Sequence, residues 1–416
     1  MNKLLYKVAS GIATASLLAS SFAGVALADV NLEISGNGSD SDNNIDVELN
    51  NLTVIEQTNT ANIQNNVEIF ANTGNNEAND NTGGDVGIDT GNAKAEVNVS
   101  NTANSNVAEV NGCCPGDITA EISGNGTDSD NQIDIDVCAY NDECGTFIEQ
   151  TNEANISNNV AVELNTGDNE ANDNTGGDVE IDTGNAEANG GVTISNAVNS
   201  NVAVVGGGDG NSLTAVISGN GSDSDNQIDV EIVSLTLVSQ ENLANIENDV
   251  EIFANTGNNE ANDNTGGDVE IDTGNAEAEV EISNLANFNG AEVDGCGCVE
   301  DLTAKIKNNG SDSENEIDVE LISALFVEQL NEFECKEFDD PCADVVVESN
   351  TGDNEANDNT QDGDEPAIDT GNAGAEVEVE NTANENVVGD LDGLDLPDLD
   401  LDGFSGLVLL LLALFS

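Results

Sequence analysis

Hydrophobic and polar residues alternate one for one along much of this chain, and the alternation predicts half-buried strands. Ala276, Ala278, Val280 and Ile282 are interleaved with Glu277, Glu279 and Glu281. A strand turns successive side chains to opposite faces, so every acid of this segment falls on one side. The same period of two runs through Ile45-Asp46-Val47-Glu48-Leu49, through Val67-Glu68-Ile69, and through Ala375, Val377 and Val379 interleaved with Glu376, Glu378 and Glu380. Beyond residue 28 no stretch carries a convincing 3.6-residue apolar stripe, and the abundance of Asn, Thr, Asp, Gly and β-branched residues favours strand and turn over helix. The expected class is all-β.

The strands recur inside a longer unit. The run Asn72-Thr73-Gly74-Asn75-Asn76-Glu77-Ala78-Asn79-Asp80-Asn81-Thr82 returns nearly letter for letter from Asn165, Asn255 and Asn350, at spacings of 93, 90 and 95 residues. Self-similarity at a near-constant period marks an array whose units bury their faces against one another. Each cassette opens with a Gly/Ser/Asp turn, first seen as Ser35-Gly36-Asn37-Gly38-Ser39-Asp40, again from Ser123 and Ser218, and altered to Lys307-Asn308-Asn309-Gly310 in the fourth. A strand follows, then an Asn-rich segment, the shared run, the motif Ile88-Asp89-Thr90-Gly91-Asn92-Ala93 and a closing strand. Thr73, Thr82 and Thr90 fall 9 and 8 residues apart, each before a Gly. That spacing suggests a turn at every half-coil of a small two-sided solenoid, a rod on the order of 100 Å long at ~4.8 Å per strand. Antiparallel hairpins would space turns similarly, but stacked Asn and Thr can hydrogen-bond up and down a ladder. The expected fold is therefore a repeat β-solenoid, parallel β-helix-like, built from four cassettes of about 90 residues. Its parts are a leader at 1–28, repeats at 29–117, 118–211, 212–301 and 302–389, and an acidic linker with a short apolar tail at 390–416.

One feature points to the outside of a cell, and the charge then bounds the partners. Lys3 and Lys7 precede an Ala- and Leu-rich stretch, and Ala26-Leu27-Ala28 forms a small-x-small cleavage site before Asp29, the pattern of a secretory leader. From Asp29 onward lie all 83 acids and only Lys94, Lys305, Lys307 and Lys336 as cations, a formal charge of 4 minus 83, or −79, with no Arg and no His. Such a field repels nucleic acid and anionic lipid, whose recognition needs a Lys/Arg face, so nucleic acid is excluded as a partner. Divalent cations and basic or cell-surface partners remain, together with self-association. The tail adds a candidate membrane or cell-wall attachment: from Leu407 to Phe415 it is apolar, shorter than the ~20 residues of a helical span.

At Gly74-x-Asn76-x-Ala78, repeated from Gly167, Gly257 and Gly352, with Gln57 and Gln150 upstream, the chain resembles curlin repeats, the secreted β-solenoid units of bacterial curli fibres. It is similar also to the Asn/Thr/Gly-rich exported repeat proteins of uncultured bacteria. The resemblance covers part of each cassette and departs from curlin in glycine-to-asparagine spacing, cassette length and acidity. It implies a surface β-solenoid and, as an alternative, a fibre subunit.

Catalysis finds little support. Asp89-Thr90-Gly91 is similar to the Asp-Thr-Gly by which aspartic proteases present their carboxylates, but such a protease needs two facing loops sharing one proton. Here the triplet occurs four times, at Asp89, Asp182, Asp272 and Asp369, each followed by Asn. The sister triplets Asn72-Thr73-Gly74 and Asn81-Thr82-Gly83 show the acid to be optional, so a β-turn is expected and no enzyme. Metal binding is the better chemical reading. Asp40, Asp42 and Asp46 alternate along the chain, as do Asp128, Asp130 and Asp134, and Asp223, Asp225 and Asp229. A strand or open loop would set these hard oxygen ligands on one side, as Ca²⁺ prefers, although the EF-hand pattern is absent. The competing reading is a solvated acidic face that keeps neighbouring arrays apart. Eight cysteines in an exported chain point to disulfides, with zinc the weaker alternative. Cys138 and Cys144 bracket one insertion and Cys335 and Cys342 another, so each pair is expected to close its own loop. The pairing of Cys113, Cys114, Cys296 and Cys298 stays open. The expected function is a secreted or cell-surface structural or adhesive protein with an acidic exposed face, the alternative being a Ca²⁺-dependent adhesin or cation sequestrant.

Overall fold

The structure is a computed structural model describing residues 4–11, 29–111, 117–138, 145–206, 212–293, 301–335, 342–361 and 366–389. None of these residues is helical, and every strand pair among them is parallel. Alternation does what it predicts at Ala276–Val293: Ala276, Ala278, Val280 and Ile282 are buried, Glu279 and Glu281 exposed, and Glu277 half-buried.

Four sheets account for nearly all of the strands. An opening sheet joins Val30–Ser35, Ile118–Ser123, Ser212–Ser218 and Asp301–Lys307. A broad sheet is centred on Asp225–Asn255, flanked on one side by Asp130–Val137 and Gly145–Asn165 with Asp42–Leu49 and Leu52–Asn72 beyond, and on the other by Glu314–Glu334 and Ala343–Asn350. A short sheet carries Val86–Asp89, Val179–Asp182, Val269–Asp272 and Ala367–Asp369. A closing sheet stacks Ala93–Asn111, Ala186–Gly206, Ala276–Val293 and Ala373–Val388, and Leu4–Gly11 pairs with the outer edge of its first member.

The register corrects the small-coil expectation. Strand partners lie between 88 residues apart, as Asp42 and Asp130, and 97 apart, as Ala276 and Ala373. Hydrogen bonds therefore run from one cassette to the next, and four strands at ~4.8 Å span about 15 Å between outer strand axes, a fraction of the ~100 Å rod expected. Of the Thr-Gly sites the chain bends at Gly83, whereas Thr73-Gly74 and Thr90-Gly91 are irregular backbone, and the short legs between them bridge to neighbouring cassettes at single residues, such as Glu77 with Glu170 and Thr82 with Thr175.

Apolar residues gather where the broad sheet meets its neighbours. Ile45, Val47, Ile133 and Ile228 pack against Ile118, Ile122 and Leu213 of the opening sheet. Farther along, Val67, Ile69, Val160 and Ile252 face Val97, Val99, Ile194 and Val280 of the closing sheet. This core ends unevenly. Ile45 and Val47 of the first cassette are 5% and 6% exposed, whereas their fourth-cassette counterparts Ile317 and Val319 are 45% and 37% exposed. Val377 and Val379 likewise form the expected strand without a buried face.

Candidate functional surface

The inner side of the broad sheet is not wholly apolar. Along Leu52–Asn72 the inward positions are Thr53, Ile55, Gln57, Asn59, Ala61, Ile63, Asn65, Val67, Ile69 and Ala71, so amides occupy hydrophobic parity. Burying an unpaired amide is costly, and each is satisfied by its copies in adjacent cassettes. Asn59 donates to Asn152 Oδ1 (3.1 Å), Asn152 to Asn242 (3.0 Å) and Asn242 to Asn331 (3.0 Å). The same side chains bridge to the closing sheet, Asn59 to Asn106 Oδ1 (2.8 Å) and Asn152 to Asn201 Oδ1 (2.8 Å). A second row, Asn104, Asn199, Asn287 and Asn384, has left-handed backbone at φ 61° to 66°, which Asn tolerates better than most residues. Its amides donate along the row at 2.9 to 3.0 Å, and the first three also donate to broad-sheet carbonyls.

The repeated run reads as structure, letter by letter. Asn72 Oδ1 accepts the Gly74 N–H, Thr73 Oγ1 donates to the Gly91 carbonyl, and Asn76 Nδ2 donates to the Thr73 carbonyl. Asn75 and Asp80 take left-handed turns. Gly74 is required because a Cβ there would fall on the Gly167 carbonyl, closer than 3.0 Å. In the Asp-Thr-Gly turns, Thr90, Thr183 and Thr273 point inward, and their hydroxyls donate to the carbonyls of Thr166, Thr256 and Thr351. Asp89, Asp182, Asp272 and Asp369 form one exposed column, each on its own strand of the short sheet.

The candidate cation ligands also form columns on the outer side. Asp42, Asp130 and Asp225 are in register and exposed, followed by Glu314; Asp46, Asp134 and Asp229 are in register, followed by Asp318. Asp40, Asp128 and Asp223 occupy left-handed turns before these strands. Register thus brings like residues one strand apart and separates Asp40, Asp42 and Asp46 along the chain. Among the described residues no group of three or more acids or cysteines is arranged to hold a metal ion. Crowding is felt where the columns are partly covered. The Asp134 carboxyl is held above the ordinary carboxylate range by burial, then by Asp136, Asp229 and Asp46; Asp136 is raised by burial, then by Glu231 and other neighbouring acids. Asp182 is raised by burial, then by Asp272, Asp89 and Glu180. Relief comes at the closing sheet, where Lys94 forms an ion pair with buried Glu187, whose other oxygen accepts from Asn185 Nδ2 (2.6 Å).

The cysteines mark excursions from the broad sheet. Asn245 pairs with Glu334 and Asn248 with Ala343, so three steps on one strand face nine on the other, and a disulfide joins Cys335 to Cys342 across the detour. Cys138 is disulfide-bonded where the second cassette leaves the sheet. Cys144, Cys113, Cys114, Cys296 and Cys298 lie outside the described residues, as does the apolar tail. No described helix is long and apolar enough to cross a membrane. The inward amides are what sequence reasoning misses. Their signal is parity: Gln57, Asn59 and Asn65 continue the period-two series of Ile55 and Ile63. Compared with known proteins, the chain matches no family model, no curated protein and no solved structure.

Proposed function

We propose that this is an exported structural scaffold: a repeat β-solenoid in which each cassette is one large coil, placed in the medium or on the cell surface to present acidic columns outward. The observation that carries the reading is the in-register parallel pairing of like residues from successive cassettes, Asp46 with Asp134 and Asp134 with Asp229 among them. Parallel pairing spends the inward positions on ladders and core and leaves the outward ones to charge. A structural role fits a molecule whose repeated letters each hold the backbone, as the Asn72 to Asn76 contacts do. The test is cell fractionation with terminal sequencing. The scaffold reading expects a chain beginning at Asp29 in the medium or surface fraction, and an intact leader in the cytosol would remove it.

A second reading, cation capture, draws on the crowding of Asp134 and Asp136. A divalent ion bridging carboxylates on adjacent strands neutralises repulsion that monovalent salt only screens. Millimolar Ca²⁺ is then expected to raise the unfolding temperature more than NaCl of matched ionic strength, and Asp40→Asn with Asp42→Asn to blunt the gain. Equal gains from the two salts would leave the acids as a solvated coat.

A further inference from the structure

We infer that the chain polymerises head to tail, the fourth-cassette end of one copy seated on the first-cassette end of the next. The inference rests on the stacked-coil reading above and adds the partner, a second copy of the same chain.

Glycine supplies the first argument. At Gly74, Gly167 and Gly257 a Cβ would lie closer than 3.0 Å to the backbone of the following cassette. Gly352 holds the same place in the fourth cassette, yet a Cβ there meets only Asn350 Oδ1, at 3.8 Å. The opposite end repeats this in mirror sense. A Cβ on Gly126, Gly221 or Gly310 would strike the preceding cassette, whereas one on Gly38 meets nothing within 4 Å. Neither Gly38 nor Gly352 has left-handed backbone. Within one chain these two glycines answer to no steric demand; a copy stacked in register imposes it, setting Gly352 against Gly74 of the next copy and Gly38 against the Gly310-Ser311 turn of the previous one.

Hydrogen-bond sense supplies the second. Along Asn104, Asn199, Asn287 and Asn384 every amide donates toward the fourth cassette, so the row opens on an Oδ1 acceptor and closes on an Nδ2 donor. The row Asn101, Asn196, Asn284 and Asn381 has the same sense, at 2.6 to 2.7 Å. The glutamines run oppositely, Gln329 to Gln240 to Gln150 to Gln57. Pairing like ends would set donor against donor or acceptor against acceptor in every row. Head-to-tail contact joins donor to acceptor in all of them, and a heterologous contact related by translation does not close.

The ends themselves complete the case. The fourth cassette leaves Ile317, Leu321, Phe326 and Val377 exposed at positions that pair with residues of the third. At the other end the closing sheet already accepts a foreign strand: Leu4–Gly11 lies parallel on Ala93–Ser100, where Ala373–Glu380 of an incoming copy would lie. Loss of the leader opens that edge.

The test uses the chain from Asp29 to Ser416 at ~0.15 M salt, where charge is screened beyond ~8 Å. Electron microscopy and fibre diffraction are expected to show filaments with a ~4.8 Å repeat along their axis. Gly352→Ala and Gly38→Ala should keep the circular dichroism and melting temperature of the parent monomer while sedimenting as monomers; Gly167→Ala, inside the stack, should lose the fold. A parent chain that stays monomeric, or end variants that assemble as well as it does, would overturn the inference while the folded stack stands. Assembly only after removal of residues 390–416 would also overturn it, by making the chain's own tail the cover of that end. A parent chain without strand circular dichroism would sink the stacked-coil reading itself.

Discussion

Asn242 is fully buried, and its amide stands at a crossing: Oδ1 accepts from Asn152 and Asn201, while Nδ2 donates to Phe288 O, Asn289 Oδ1 and Asn331 Oδ1. Removing it deletes side-chain hydrogen bonds to Asn152, Asn201, Asn289 and Asn331 at once, each with a net worth of about 0.5–1.5 kcal/mol. Asn242→Ala is therefore expected to lower urea-unfolding stability by at least ~2 kcal/mol. The comparable change at half-exposed Asn155, which donates to Asn62 at 3.2 Å, should stay within ~0.5 kcal/mol. At this scale the sequence is legible only in part. Composition places Asn in turns, and Asn75 obeys; the preference of Asn for turns hides the fact that Asn59, Asn152 and Asn242 can be buried once identical amides recur at strand spacing.

Strands were the most legible elements, because a period of two needs no knowledge of partners. Their partners were not. The 9- and 8-residue spacing of Thr73, Thr82 and Thr90 looks like the legs of a narrow coil, yet it belongs to the connection between the broad and closing sheets of each cassette, which carries the short-sheet strand and is pinned by bridges such as Glu170 with Glu260. Register follows from which amide and apolar rows coincide across about 90 residues, information that local spacing does not contain. Position within the sheet then decides what a strand residue contributes. Ile133, fully buried between two cassettes, should cost ~2–5 kcal/mol when changed to Ala. Ile317, in register with Ile228 but 45% exposed, should cost the monomer no more than about half as much. Denaturant unfolding of both variants at concentrations where the chain is monomeric checks the contrast.

For the molecule as a whole, charge opposes the fold it decorates. Asp134, Asp136 and Asp182 are raised in the folded state, so ionising them costs more there than in the unfolded chain. That cost is present at neutral pH and is relieved as pH falls through the raised values toward the ordinary carboxylate range near ~4. Asp117 has the opposite sign: the Ser212 N–H and hydroxyl hold its carboxyl low, and what it contributes is lost on further acidification. Thermal stability is expected to rise from pH 7 to about pH 4.5 and then level off. A melting temperature that falls steadily over that interval would show the crowded columns to be relieved by something other than protons.

Pairing each strand with one nearly a whole cassette away also governs time. A contact separation of about 90 residues in a chain of 416 is a relative contact order of roughly 0.2, in the range where two-state domains fold in milliseconds to seconds, and slower still at this length. One cassette alone has no strand partner, so the nucleus must gather two, and loop closure over that distance precedes any reward. A single cassette, residues 118–211, is expected to stay unfolded, with cooperative unfolding gained as the second and third cassettes are joined to it. Under the export proposed above, the delay gives the polypeptide a window in which it remains threadable, and it commits the product to knitting itself row by row only after enough of its length has emerged.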